Sequence, residues 1–283
     1  MEMKILLTNN HLSGLGGSET WVYTMAQELK RRGYQVGVYT KVKGYVSDLL
    51  KDLIDDEPQG YDLALINHNS CMGVDAKFKI FTSHGTVPEL ERPVEGADVY
   101  VAVSENVAEK YNLKHIIKNP IDTERFKPTN EIKDKPETIL AITDVNVELP
   151  YNVISPSRFE MNMPELINQA DIVISIGRGA LEAMSCGRPV ITWDKRPYWE
   201  ARGDGYLDDL SKLKGNVAGQ YARTDIDLEE EIKKYNKEDG KRNREYILKN
   251  HDVRKIVDKY LELYELSRKI PSSPETKKGE LTR

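Results

Sequence analysis

The sequence predicts an α/β protein built from two doubly wound parallel sheets. Three observations carry that prediction. Short, continuously apolar runs such as Ile5-Leu6-Leu7 and Ile172-Val173-Ile174 have the character of strands buried on both faces. These runs alternate with segments whose apolar residues recur at helical spacing. The length, 283 residues, suits two domains of ordinary size.

In order along the chain, residues 5–7 open a β-α-β unit. A loop, residues 11–17, follows; Val22, Met25, Ala26 and Leu29 then mark one helix face, Gly33 stops that helix, and residues 36–40 form the next strand. Further strands are predicted at 62–66, 79–83, 99–103 and 115–117, and the first domain closes near Asn119-Pro120-Ile121-Asp122. The polar segment 127–136 reads as a linker, which sets the domains at 1–126 and 127–250. The second half repeats the alternation in shorter form, with strands at 138–142, near 152–154, at 171–176 and at 189–193. A charged helical region covers roughly 228–249. Val253, Ile256, Val257, Tyr260, Leu261 and Tyr264 form the apolar stripe of a closing helix within 251–270. The polar stretch 271–283 is expected to be a disordered tail.

A net charge of -5 argues against broad, sequence-independent nucleic-acid binding, while leaving room for a local basic groove. Cys71 and Cys186 give no disulfide framework, so a reducing, cytoplasmic setting is expected. No apolar run reaches the ~18 residues of a membrane span. His11, His68, His115 and His251 show no ligand spacing with each other or the cysteines, so no metal site is expected.

Three places carry chemistry. The Gly14-Leu15-Gly16-Gly17-Ser18-Glu19 loop lies between the first strand and first helix, where open α/β sheets bind ligands. Gly16 and Gly17 let the backbone approach a sugar or phosphate, although the loop has neither GxGxxG nor GK[ST] spacing. A plain turn with Ser18 as helix N-cap and Glu19 against the dipole fits the same residues. His84-Gly85 again follows a strand; a neutral imidazole there can accept a proton or bond a substrate hydroxyl, and a solvated loop histidine is the alternative.

The third place, residues 170–194, is the richest. It reads as a buried strand, a tight Gly177-Arg178-Gly179 turn, a helix bearing Glu182, and a second strand. Such a turn aims backbone N–H groups, here at Gly179 and Ala180, and a guanidinium at an anion above the sheet edge. Charge-assisted bonds from Arg178 are worth about 1.5–3 kcal/mol each against about 0.3–1 kcal/mol from the helix dipole. Glu182 can hold a sugar hydroxyl beside it. A surface arginine and a glutamate stabilising its own helix are the alternatives.

Six strings in order resemble glycosyltransferase family 4 (group 1), retaining enzymes of the GT-B fold. They are the opening strand with its Gly16-Gly17-Ser18-Glu19 loop, the histidine loop at residues 82–89, the Ala97-Asp98 to Ser104-Glu105 strand, the passage 118–128, the Leu181-Glu182-Ala183-Met184 string with Cys186-Gly187 and Pro189-Val190-Ile191, and the closing helix from His251. The resemblance implies two Rossmann-like domains facing each other across a cleft. It implies a retaining, metal-independent hexosyltransferase that needs no cofactor and uses a nucleotide-diphosphate sugar, UDP- or GDP-linked. Glu182 would hold the ribose; Arg178, Gly179 and Ala180 would meet the diphosphate; Gly16, Gly17 and His84 would lie on the acceptor side. The hydroxyl acceptor is left open between glycan, lipid, small molecule and modified DNA, and a peripheral membrane contact is compatible with it.

Two departures stand out. The family's Arg/Lys "GR…KG" diphosphate clamp has no counterpart in residues 139–171, and Ile174 stands where the first of its paired glutamates is expected. This implies a shortened second domain in which Arg178, or Arg158, replaces the clamp. Two other readings stay open. One is a catalytically silent GT-B-like protein that binds a nucleotide or partner. The other is a transferase acting on a modified nucleic-acid base, with Lys30-Arg31-Arg32, Lys41 and Lys43 on phosphates.

Overall fold

The structure, a computed structural model, describes residues 3–157, 160, 162–195, 200–213 and 223–269; Arg158 and the expected tail 271–283 lie outside them. The chain divides into two compact units. The first runs to Pro120 and takes back the chain from Val253; the second is Ile121–Asp252.

The first unit holds six parallel strands: β1 (Lys4–His11), β2 (Gln35–Val42), β3 (Tyr61–Ile66), β4 (Ala76–Ser83), β5 (Val99–Ala102) and β6 (His115–Ile116). Their order is β2-β1-β3-β4-β5-β6. Helices α1 (Gly17–Arg31), α2 (Tyr45–Leu49) and α3 (Glu105–Tyr111) connect them. The stripe Val22, Met25, Ala26 and Leu29 is buried with Trp21 against Ile5, Leu7, Val38, Leu63 and Leu65. Gly33 ends α1 with φ +85°. Because β2 and β3 lie on opposite sides of β1, the connections leaving β1 and β3 diverge. Their carboxyl ends form a topological switch point, the usual ligand position in open sheets.

The second unit contains β7 (Thr138–Ala141), β8 (Asn152–Ile154), α4 (Met163–Gln169), β9 (Ile172–Ser175), α5 (Gly177–Ser185), β10 (Val190–Asp194), β11 (Arg202–Tyr206), α6 (Leu228–Ile232) and α7 (Glu238–Asn250). The sheet order is β11-β10-β9-β7-β8, which places a second switch point between β7 and β9. β11 pairs antiparallel with β10 and is absent from the sequence expectation. Its sequence, Arg-Gly-Asp-Gly-Tyr, has no apolar run. Gly203 is needed there by packing, since a Cβ would stand 1.9 Å from Thr192 O. The charged helical region 228–249 comprises two helices, α6 and α7.

The segment 127–136, expected as a linker, is bound along the second unit. Asp171 Oδ1 accepts the Lys133 N–H (3.1 Å) and Oδ2 accepts those of Glu137 and Thr138 (both 3.0 Å). Ile121 and Phe126 are buried in this unit's core, which moves the unit boundary upstream of the polar stretch to Pro120 and Ile121.

The last helix, α8 (Val253–Lys269), packs its stripe into the first unit's core, with Val253, Ile256, Val257, Tyr260 and Tyr264 buried. Thr82 Oγ1 and the Tyr260 hydroxyl lie 3.0 Å apart, and Arg32 donates to Asp258 and to Arg254 O. Both cysteines are free and buried. Among the described residues no helix is long and apolar enough to cross a membrane.

Candidate functional site

In the second unit, β9 leads directly into α5. Gly177-Arg178-Gly179 is the first turn of that helix rather than a turn preceding it, because Ile176 is still extended and Gly177 already starts the helix. Gly177 has φ +55°, the left-handed region that a Cβ disfavours. Gly179 is set by packing: a Cβ there would stand 2.4 Å from Ser175 Oγ and 3.6 Å from Ile142 Cδ1. Ser175 Oγ in turn donates to Ile142 O (3.3 Å). The start of α5 therefore sits at the β7/β9 switch point, and no side chain caps it. Gly177→Ala should cost about 1–2 kcal/mol by forcing a Cβ into the left-handed region. A thermal melt unchanged by that substitution would contradict the local geometry.

Arg178 and Glu182 are brought together more tightly than their spacing implied. Arg178 Nε donates to Glu182 Oε1 at 2.8 Å, and the two side chains are only 12% and 13% exposed. Burial pushes the Glu182 carboxyl up, and the charges of Arg178 and Arg125 pull it back. Ala180 is fully buried, and its N–H points at Ile176 O (3.5 Å) as a long first helical bond.

In the first unit the glycine loop follows β1. Gly16, not Ser18, is the N-cap of α1. A Cβ on Gly16 would stand 2.3 Å from Glu19 Oε2, so the absence of a side chain admits that carboxylate over the loop; a Cβ on Gly17 would meet nothing within 4 Å. Glu19 is buried, receives a bond from Ser18 Oγ (3.4 Å) and lies 3.7 Å from His11 Nε2.

Sequence reasoning missed the remaining members of this site. His11 and His68 stand 5.0 Å apart at the ends of β1 and β3, and His68 Nδ1 accepts the Asn10 N–H (3.1 Å). Ser83 Oγ donates to Glu91 O (2.8 Å), while Asn69 Nδ2 donates to Glu89 O (2.7 Å) and Arg92 O (3.2 Å). These bonds hold the Glu91 turn against the carboxyl ends of β3 and β4. The signal available in sequence for His11, His68 and Asn69 was position alone, a few residues past a predicted strand.

His84 lies edge-on to Trp21 (5.6 Å), and its Nε2 is buried without a hydrogen-bond partner among the described residues. Burial, reinforced by His68, lowers its pKa to about 3 against the pull of a bond with Asn119; burial and His11 lower His68 to about 4. Both rings are neutral near pH 7. A depressed histidine pKa means the unfolded chain takes up the proton first. Their stabilising contribution is therefore fully present above pH 6.5 and drains away as pH falls toward 4 and 3. Ring signals of His68 and His84 should stay in the neutral position from pH 8 to 5 in an NMR titration. Glu91 moves the other way: burial first, then the charge of Glu19, pushes it up to about 7.

Among the described residues no group of three His, Cys, Asp or Glu could hold a metal ion. The basic pairs proposed for phosphate contact are engaged locally: Arg31 and Arg32 with Glu28, Arg32 also with Asp258, and Lys43 with Asp56.

No family model matches the chain, and no curated protein matches it. Solved structures do. A glycosyltransferase from Rickettsia africae ESF-5 superposes with a TM-score of 0.59 at 13% identity, covering 95% of this chain and 99% of that one. An α-glucosyltransferase in complex with UDP and DNA containing an HMU base gives 0.57 at 11%, covering 94% and 100%. AviGT4, a glycosyltransferase involved in avilamycin A biosynthesis, gives 0.52 at 13%, covering 93% and 97%. At these identities the likeness is one of fold: the chain has the α/β, Rossmann-like architecture of GT-B glycosyltransferases.

Proposed function

We propose that the protein is a glycosyltransferase of the retaining, family 4 type, moving a sugar from a UDP- or GDP-linked donor to a hydroxyl acceptor without a metal. The observation that carries this reading is the start of α5 at the β7/β9 switch point, where an uncapped helix end, Arg178 and Glu182 lie within the first two turns. The donor's nucleoside diphosphate is assigned to that helix start. In this mechanism the ligand opens the resting ion pair, with Glu182 passing to the ribose hydroxyls and Arg178 to the diphosphate. The pair keeps both charges compensated until the ligand arrives, which limits the cost of holding them largely buried.

As the C1–O bond to the diphosphate breaks, negative charge grows on the departing oxygen. Arg178 and the Gly179 N–H stabilise it, and this electrostatic stabilisation carries most of the catalysis. The acceptor oxygen forms the new C1–O bond from the same face, and its proton passes to the leaving phosphate oxygen. His84, neutral near pH 7, and the Gly16-Gly17 loop serve the acceptor side. Donor binding is assigned to the 121–252 unit and acceptor binding to the unit closed by α8.

The test is a mass-spectrometric screen of nucleotide sugars for release of the nucleoside diphosphate, with calorimetry against free nucleotides. Donor-specific release supports the reading. Tight nucleotide binding with no release under any acceptor favours a silent binding protein instead.

A further inference from the structure

The first unit's switch point holds an unusual concentration of buried polar atoms. Thr8, Asn9 and Asn67 are fully buried at the ends of β1 and β3. Asn9 Oδ1 and both Nδ2 and Oδ1 of Asn67 lack hydrogen-bond partners among the described residues, as does His84 Nε2. Buried polar groups are almost always paired, and each exception calls for an explanation such as an ordered water, an ion or a functional role. Asn9 is tied directly to the acidic members of the site. Its Nδ2 donates to Ser18 Oγ (3.3 Å), and Ser18 Oγ donates to Glu19 Oε2 (3.4 Å). Glu91 approaches from the histidine loop: its Oε2 would be 2.6 Å from a Cβ on Gly85, so the carboxylate lies along the glycine next to His84.

We propose that Glu19 and Glu91, with Asn9 and Asn67 at the β1/β3 switch point, form an acceptor subsite for an uncharged, hydroxyl-rich ligand, the ring of a neutral sugar. The inference rests on the glycosyltransferase reading and adds the acceptor's chemical class to it. Carboxylates and side-chain amides pair with vicinal hydroxyls, accepting from the O–H groups and donating to their oxygens. Above pH 7, where Glu91 is ionised, the same carboxylates oppose a phosphate. The imidazoles of His68 and His84 do not offset that charge, since both are neutral at pH 7. Arg92, beside Glu91 in sequence, faces Glu89 at 3.7 Å on the surface, and Arg31 and Arg32 are engaged by Glu28. A nucleic-acid acceptor would have to bring its phosphates to this acidic edge.

The experiment titrates the full chain at pH 7.5 with methyl α-glucopyranoside, methyl α-galactopyranoside and methyl α-mannopyranoside, with the corresponding sugar 6-phosphates, and with a short DNA duplex. Wild type, Glu91→Gln and Glu19→Gln are compared by saturation-transfer NMR, with melting curves as the folding control. At least one neutral glycoside should bind wild type more tightly than its phosphate ester and than DNA. Losing one charge-assisted bond should weaken that glycoside about tenfold in either variant. Glu91→Gln should also narrow the gap between the neutral sugar and its phosphate, an effect that simple loss of packing would not produce. Glu91→Asp is the fallback if the glutamine variant melts early, with the same weakening expected.

The proposal is overturned if no neutral glycoside binds, if the phosphates or the duplex bind better than the neutral sugars, or if folded variants bind as wild type does. Titration of UDP and GDP on the same samples reports separately on the donor reading. Loss of nucleotide binding in wild type would count against that reading, and the glycoside results would still decide this one.

Discussion

Arg178→Ala should lower kcat/KM for the nucleotide sugar by about 100- to 1,000-fold, the loss seen when one group stabilising a developing negative charge is removed. Glu182→Ala should raise KM for the donor and lower turnover as well, through loss of the ribose contact. Each single substitution also removes a charge that compensates its largely buried partner, since the two are joined at 2.8 Å with 12% and 13% exposure. The single variants should therefore melt early, by about 1–3 kcal/mol, less than a fully buried pair would lose. The double variant Arg178→Ala/Glu182→Ala separates the two roles. It removes both charges together and should recover most of that stability while remaining as inactive as Arg178→Ala alone. Steady-state kinetics and melting curves on the three proteins decide the matter. A double variant that regains donor turnover would show the pair to be a structural brace and would end its assignment to the donor.

Much of this was legible in the sequence because the core obeys simple periodicities. The runs at β1, β3, β7 and β9 are apolar on both faces, as central parallel strands must be, and each was found within a few residues. The helix α1 was found from four residues on one face, and all four are buried. What escaped detection lacks such periodicity. β11 is an edge strand whose glycines answer to Thr192 O and Glu231, contacts remote in sequence. The segment 127–136 is polar yet ordered, because the Thr129 N–H ends on Asn168 Oδ1, the Lys133 N–H on the Asp171 carboxylate, and the Glu137 N–H just beyond it on the same carboxylate.

The candidate site divides along the same line. Gly179, Arg178 and Glu182 were visible because they are neighbours in one string. Their mutual ion pair is permitted by i,i+4 spacing but not required by it. Glu91 offered no signal at all. It joins Glu19 only through the fold, with Ser83 and Asn69 holding its turn in place.

Asp171 yields the second large expected effect, one of stability rather than chemistry. Its carboxylate, buried at the start of β9, accepts three backbone N–H groups, those of Lys133, Glu137 and Thr138. Asp171→Ala removes all three acceptors at once and should destabilise the second unit by about 3–5 kcal/mol, since bonds to a charged group contribute about 1.5–3 kcal/mol each and are only partly replaced by water. Asp171→Asn should recover less than half of that. Two of the three donors converge on Oδ2 and the third on Oδ1, so an amide must turn its NH2 toward at least one N–H whichever way it is flipped. Calorimetry should show the loss in the transition of the 121–252 unit, and limited proteolysis should open 127–136 first. The residue sits at the opposite end of β9 from Gly177, so activity at a temperature where the variant stays folded should be near that of wild type. A variant that melts normally would mean the segment is held by its side chains. One that folds but is inactive would mean the register of β7 against β9, set at this end, governs the geometry of the α5 start at the other.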